Sequence, residues 1–256
     1  MIHATAVVDA GAELDSGVEV GPYAVIGPRV RIGRGSRIGP HVVLRGPTDL
    51  GEDNRIFQFA SVGEDPQDKK YHGEETRLTI GARNVIRESA TIHRGTAQDR
   101  GETLIGDDNL FMAYTHVAHD CVIGNQVIMA NAASLGGHVV IGDWAILGGF
   151  TIVHQFCHIG THSFSAMGSV IGKDVPPYVT IDGHPAVPRG INTEGLRRRG
   201  FSTDAITAIR RAYRLLYLAG NKLDEAVAAM RAIAVDHPEV GALAEFVANS
   251  SRSIVR

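Results

Sequence analysis

Every sixth residue from Val8 onward is aliphatic: Val8, Leu14, Val20, Ile26, Ile32, Ile38, Leu44, Leu50, Ile56 and Val62. The phase fails at Asp68 and Glu74, returns at Ile80, Ile86 and Ile92, and fails again near Gln98. A second run, displaced by one position, follows: Ile105, Phe111, Val117, Ile123, Met129, Leu135, Ile141, Leu147, Val153 and Ile159. In a chain that is 44% hydrophobic, chance does not produce two such runs. Glycine often follows the aliphatic, as at Gly21, Gly27, Gly33, Gly106, Gly124 and Gly142. The residue four after it is usually small or branched, as at Ala24, Val30, Ser36, Val127, Ala133 and Val139. Neither a helical period of 3.6 nor a strand period of 2 yields this pattern. One short strand and one turn per six residues does. Three such units close a triangular coil of eighteen residues, and coils stack at the strand spacing of about 4.8 Å. The aliphatic fills the prism and the small residue completes the layer.

The two failures predict loops that leave the prism, one over roughly 63–76 with Lys69, Lys70 and Tyr71, the other over about 95–102. Long loops in a compact repeat are more often functional than decorative. The pattern stops at Pro176-Pro177, and from about Asn192 the chain changes character. Ser202-Thr203-Asp204 is a helix start, residues 205–219 carry a helical apolar stripe ended by Gly220, and 223–235 and 238–248 predict two more helices. The expected organisation is a mainly β prism over 1–190 and a helical domain over 191–256. Such a cap protects the open end of a solenoid, whose unpaired edges otherwise invite association.

Composition sharpens this. Thirty glycines suit many tight turns, and few aromatics mean a core of small and branched side chains. A formal charge of −3 argues against a general nucleic-acid binder. The start, Met1-Ile2-His3-Ala4-Thr5-Ala6, has no basic region or long apolar run, so no secretory leader is expected. No stretch approaches a membrane span. Cys121 and Cys157 make no disulfide framework. Each lies four after a repeat valine, so both are expected as buried packing groups, and the protein is expected in the cytoplasm.

The candidate chemistry lies in the histidines. Six of the twelve cluster: His116, His119, His138, His154, His158 and His162. Adding the coil length to His119 gives Gly137 and then Gln155, and adding it to Asp120 gives His138. These should stack at one corner on successive coils and face outward as a polar groove. A histidine beside a carboxylate suits a general base, with the carboxylate orienting the ring. A bare glycine leaves its N–H open as an oxyanion donor. His158 and His162 are read as solvated turn residues. A zinc site needs three or four converging ligands; His116 and His119 offer two, and no third shares their spacing, so no metal is expected.

The segment Thr115-His116-Val117-Ala118-His119-Asp120-Cys121 resembles the active-site segment of the UDP-N-acetylglucosamine acyltransferases, hexapeptide-repeat enzymes that begin lipid A synthesis. So do Asp68-Lys69-Lys70-Tyr71, Ile92-His93-Arg94-Gly95-Thr96, Gly137-His138, Val153-His154-Gln155-Phe156, Asp174-Val175-Pro176-Pro177-Tyr178 and the run from Asn192 to Phe201. The resemblance covers nearly the whole chain and implies a left-handed prism, against the usual right-handed crossover.

It also implies a homotrimer, acyl carrier protein as donor of a 3-hydroxyacyl thioester, UDP-N-acetylglucosamine as acceptor, and no cofactor. His119 matches the base that takes the proton of the glucosamine 3-hydroxyl, Asp120 its orienting carboxylate, and Gly137 the oxyanion donor. His116, His138 and Gln155 match groups around the sugar and pyrophosphate, and His93, Asn131 and His154 join the substrate-binding set. Asn192, Glu194, Arg198 and Arg199 match nucleotide contacts. Asp68 and Lys70 match residues that reach a neighbouring subunit's site. Met167 stands where long-chain members have a small residue. It implies a medium acyl chain of about ten carbons, one coil corresponding to roughly four carbons, unless Met167 merely fills the core. Arg197, Arg198, Arg199, Arg210, Arg211 and Arg214 suit an acidic carrier protein, although a solvated helix face also fits the last three.

Other readings remain open at this point. The N-acyltransferase of the same pathway carries an extra domain before the prism, for which a repeat starting by Val8 leaves no room. An acetyl-CoA-dependent acetyltransferase usually lacks this cap. A 3-amino sugar acceptor, a zinc-dependent γ-type carbonic anhydrase and a purely structural solenoid complete the set.

Overall fold

The computed structural model describes residues 1–256. The repeat folds into a left-handed parallel β-helix with three walls of nine, eight and ten strands. The first wall runs from Val7–Val8 to Val170–Ile171, the second from Glu13–Leu14 to His158–Ile159, and the third from Glu19–Val20 to Ala186–Ile191. Most strands have two residues, one outward and one buried, which is the sixfold pattern made physical. Phe111, Ile26, Leu44, Ile92 and Met129 are among the side chains that fill the prism. Cys121 and Cys157 are buried there as expected, and burial pushes their thiols up to about 12 and about 11.

The strand register explains the two phases of the sequence. Val25 pairs with Val43, eighteen positions on. Ser61 pairs with Thr91, thirty on, and Thr91 with His116, twenty-five on, so the two loops insert twelve and seven residues. Twelve is two repeats, and the aliphatic phase returns unshifted at Ile80. Seven is one repeat and one residue, which displaces the second run by one. Both loops leave from the same corner, between the first and second walls: Ser61–Glu64 leads to Arg77–Ile80, and Thr91–His93 to Glu102–Ile105.

Each corner needs a residue in the left-handed region to turn the chain. Asp120, His138 and Phe156 take it on three successive coils, at φ 59°, 64° and 65°. An L-residue there costs roughly 1–2 kcal/mol. Ring stacking along corners offsets part of this: Tyr23 on His41 on Phe59, and His138 on Phe156.

After Ile171 a hairpin of Val179–Gly183 and Ala186–Ile191 extends the third wall. Four helices follow: α1 (Thr193–Arg198), α2 (Thr203–Tyr217), α3 (Leu223–Ala234) and α4 (Pro238–Asn249). The Ser202 hydroxyl caps α2 by accepting from the Ala205 N–H, as its sequence predicts. The short α1 was not expected; the Asn192 side chain caps it by accepting from the Gly195 N–H. The helices close on a second core around Ile209, Met230 and Leu243. The tail returns to the prism, where Asp174 N–H donates to Ser253 and Val255 N–H to Asp174.

Candidate active site

His119 and Asp120 occupy the loop-bearing corner. His119 Nδ1 lies 2.8 Å from Asp120 Oδ2. Asp120 does not face outward as the spacing suggested. Its left-handed turn sends the side chain under the second loop, where it is fully buried. There it accepts from the Thr96 N–H at 3.0 Å and the Thr96 hydroxyl at 2.6 Å, while its own N–H donates to Thr103 Oγ1. Burial works to raise the Asp120 pKa, but the hydrogen bonds from His119 and Thr96 outweigh it and hold the carboxyl below its usual value. An ionised carboxylate only accepts, so His119 Nδ1 carries a proton, and in the neutral ring Nε2 is then the nitrogen with the lone pair. That is the arrangement a general base requires.

Gly137 stacks over His119 as predicted. A Cβ at Gly137 would stand 2.5 Å from His119 Cε1, so only glycine admits the ring against the next coil. The Gly137 N–H finds no acceptor within the chain. His138 meets His119 edge-on at 5.0 Å, and its Nδ1 lies 2.7 Å from Asp99 Oδ2. His116 Nδ1 lies 2.8 Å from Thr91 Oγ1, and burial lowers the His116 pKa. His154 and Gln155 are exposed one coil further on.

Asp68 and Lys70 lie on the first loop, where the Asp68 carboxylate accepts from the Lys70 N–H. The two loops are tied together: Gln98 Nε2 donates to the Lys70 carbonyl, and buried Arg94 donates to Gly63, Asp65 and Tyr71. Donor atoms of His119, Asp120 and His138 come within 4.8 Å of one another, a trio that spacing from His116 missed. Asp120 is already filled by N–H and O–H donors, so the trio suits proton chemistry better than ligation of a cation.

His93 is buried beside His116, with ring centroids 5.1 Å apart. Burial, then His116, His119 and Arg94, pushes its pKa from 6.5 to about 4. The unfolded chain therefore holds a proton between those values that the folded chain does not, so stability falls as pH drops through that window. The shift corresponds to about 3 kcal/mol. We expect the urea midpoint to fall between pH 7 and about pH 4, and to fall less in His93→Gln. Equal slopes for the two proteins would contradict a buried neutral histidine.

The other predicted residues lie at different corners. Asn192, Glu194, Arg198 and Arg199 stand beside the corner between the second and third walls. There Asn192 Nδ2 donates to His162 O, and the Arg199 guanidinium sits 5.0 Å from the Trp144 ring centre. Burial lowers the Arg199 pKa. Exposed Arg198 pairs with Glu194. His162 is not a solvated turn residue: it packs among Trp144, Tyr178 and Phe201, and burial pushes its pKa to about 4. His158 is exposed on the second wall.

Asn131 and Met167 share the third corner, two coils apart, with Gly149 between them. Met167 is 79% exposed, which removes the reading that it fills the core. Arg210, Arg211 and Arg214 are exposed on α2. No helix is long and apolar enough to cross a membrane.

Spacing does not single out Thr96, Asp99 or Thr103 as supports of the site. Coil arithmetic breaks across the seven inserted residues, so nothing in the spacing connects Thr96 with Asp120.

Solved and curated proteins resemble this chain. The family model described as UDP N-acetylglucosamine O-acyltransferase, domain 2, matches residues 174–255, and the bacterial transferase hexapeptide model matches residues 11–46. The acyl-[acyl-carrier-protein]–UDP-N-acetylglucosamine O-acyltransferase of Pseudomonas fluorescens is 57% identical over 203 residues, 79% of each chain. That of Stutzerimonas stutzeri is 54% identical over 212 residues, 83% of this chain and 82% of its own. The solved UDP-N-acetylglucosamine acyltransferase of Francisella novicida is 41% identical, with a TM-score of 0.98 over 100% of this chain and 94% of its own. LpxA of Acinetobacter baumannii is 48% identical, with a TM-score of 0.97 over 100% and 99%. The chain belongs to the acyl-[acyl-carrier-protein]–UDP-N-acetylglucosamine O-acyltransferase family.

Proposed function

We propose that this enzyme transfers an (R)-3-hydroxyacyl group from acyl carrier protein to the glucosamine 3-hydroxyl of UDP-N-acetylglucosamine, the first step of lipid A biosynthesis, in the cytoplasm. The observation that carries the mechanism is the His119–Asp120 pair beneath Gly137. His119 Nε2 takes the hydroxyl proton as the oxygen attacks the thioester carbonyl. The Gly137 N–H donates to the oxyanion. The C–S bond then breaks, and the imidazolium gives the proton to the departing thiolate, which leaves as the thiol. Asp120 stabilises the imidazolium. The scheme needs no metal or redox cofactor. Transfer from defined carrier-protein thioesters to UDP-N-acetylglucosamine tests it.

His93, His116, His138, His154 and Gln155 line the sugar and pyrophosphate side at this corner, with Asn131 across the first wall. Asn192, Glu194, Arg198 and Arg199 serve the nucleotide, the arginines as donors to phosphate. These four stand at a different corner from His119, so one chain does not bring both halves together. We propose a homotrimer in which each site joins the His119 corner of one subunit to the Arg198 corner of another, with Asp68 and Lys70 at the same junction. Mixing inactive His119→Ala and Arg198→Ala proteins under verified subunit exchange is expected to restore part of the activity. No recovery would contradict shared sites.

Met167 is the proposed chain-length stop. Its exposed side chain would narrow an acyl groove running across coils about 4.8 Å apart, roughly four carbons per coil. Met167→Gly should lengthen the preferred 3-hydroxyacyl chain from about ten toward about fourteen carbons. An unchanged preference across a series of carrier-protein thioesters would remove Met167 from this role.

A further inference from the structure

The second loop grips the site corner twice. Thr96 donates to Asp120 near the loop's start, and three residues on Asp99 reaches His138 on the next coil, thirty-nine positions along the chain. The His138 ring lies parallel to Phe156, with centroids 4.3 Å apart and planes 9° apart, and edge-on to His119 at 89°. Stacking of this kind fixes the plane of an imidazole but not its facing. A half-turn about χ2 keeps the same stack and exchanges a nitrogen for a carbon on each edge. Only the Asp99 carboxylate, 2.7 Å from Nδ1, distinguishes the two states.

We infer that Asp99 is a positioning residue for the transfer: it holds His138 in one flip and in the Nδ1–H tautomer, so that Nε2 is the nitrogen presented to substrate. The carboxylate accepts a hydrogen bond from Nδ1–H, which leaves Nε2 as the unprotonated nitrogen of the neutral ring. The charged and titratable groups facing His138 are Asp99, Asp120 and His119, and of these only Asp99 bonds its ring. Sequence spacing could not reveal the pair, because Asp99 lies within the inserted residues. The inference rests on the proposed role of His138 beside the sugar and pyrophosphate.

Steady-state kinetics of Asp99→Ala, Asp99→Asn and His138→Ala, with long-range ¹H–¹⁵N histidine spectra of the assembled enzyme, test it. His138→Ala should raise KM for UDP-N-acetylglucosamine about tenfold. Asp99→Ala should raise it by a comparable factor, with a smaller fall in kcat. Asp99→Asn, whose amide oxygen still accepts, should lie between. The His138 signals should report one Nδ1–H tautomer in the native protein and averaged nitrogens in Asp99→Ala. If Asp99→Ala changes neither KM nor the spectrum while His138→Ala raises KM, the inference is overturned and the site reading stands. If His138→Ala itself leaves KM unchanged, the role of His138 fails, and this inference fails with it.

Discussion

Replacing His119 with alanine lowers kcat about a thousandfold, within the range for loss of a general base. The substitution leaves the prism intact, because the ring stands on a turn outside the core and Asp120 keeps its bonds to Thr96. Saturating both substrates separates kcat from binding, and thermal melting checks the fold. A protein retaining more than a tenth of its kcat would sink the assignment of the base. Asp120→Asn, which keeps the volume and alters the charge that stabilises the imidazolium, should lose less. Asp120→Ala would confuse the matter by leaving buried Thr96 donors without an acceptor.

The second large effect comes from one methyl group. In Gly137→Ala the new Cβ would stand 2.5 Å from Cε1 and 2.8 Å from Nε2 of His119. Atoms do not pack that closely, so the ring must swing outward by about an ångström. Misplacing a reacting group by that much costs about a hundredfold in rate. The clash is with a side chain that has solvent to move into, so the melting temperature should barely change. Gly172→Ala, with nothing within 4 Å of its Cβ, is the matched control and should keep its activity. Native kcat in Gly137→Ala would mean that the His119 ring does not need its present seat.

The prism was legible because its code is strict. One buried position per six residues names the inward side of each strand, and the phase shift between the two runs encodes an insertion of seven. The stacking of Gly137 on His119 followed from the same arithmetic. The hydrogen-bonded support of the site was less legible. Asp120 reads as an outward turn residue, yet φ of 59° and an overlying loop bury it. Thr96 and Asp99 sit in the insertion, where no repeat predicts position. His162 looks solvated until the cap brings Phe201 and Arg199 to it, contacts set by tertiary packing of distant segments. The place of Arg198 and Arg199 beside the corner between the second and third walls lay outside the period as well, because both follow the last coil.

The His119 corner is expected to esterify a nucleotide sugar. Its most direct test is mass spectrometry of the product formed by the purified protein from UDP-N-acetylglucosamine and (R)-3-hydroxydecanoyl acyl carrier protein. A single 3-hydroxyacyl group should be added on the glucosamine 3-oxygen and released by mild alkali as an ester is, and His119→Ala should form it about a thousandfold more slowly. No acyl transfer from any carrier-protein thioester, or transfer confined to a 3-amino acceptor as an alkali-stable amide, would contradict it.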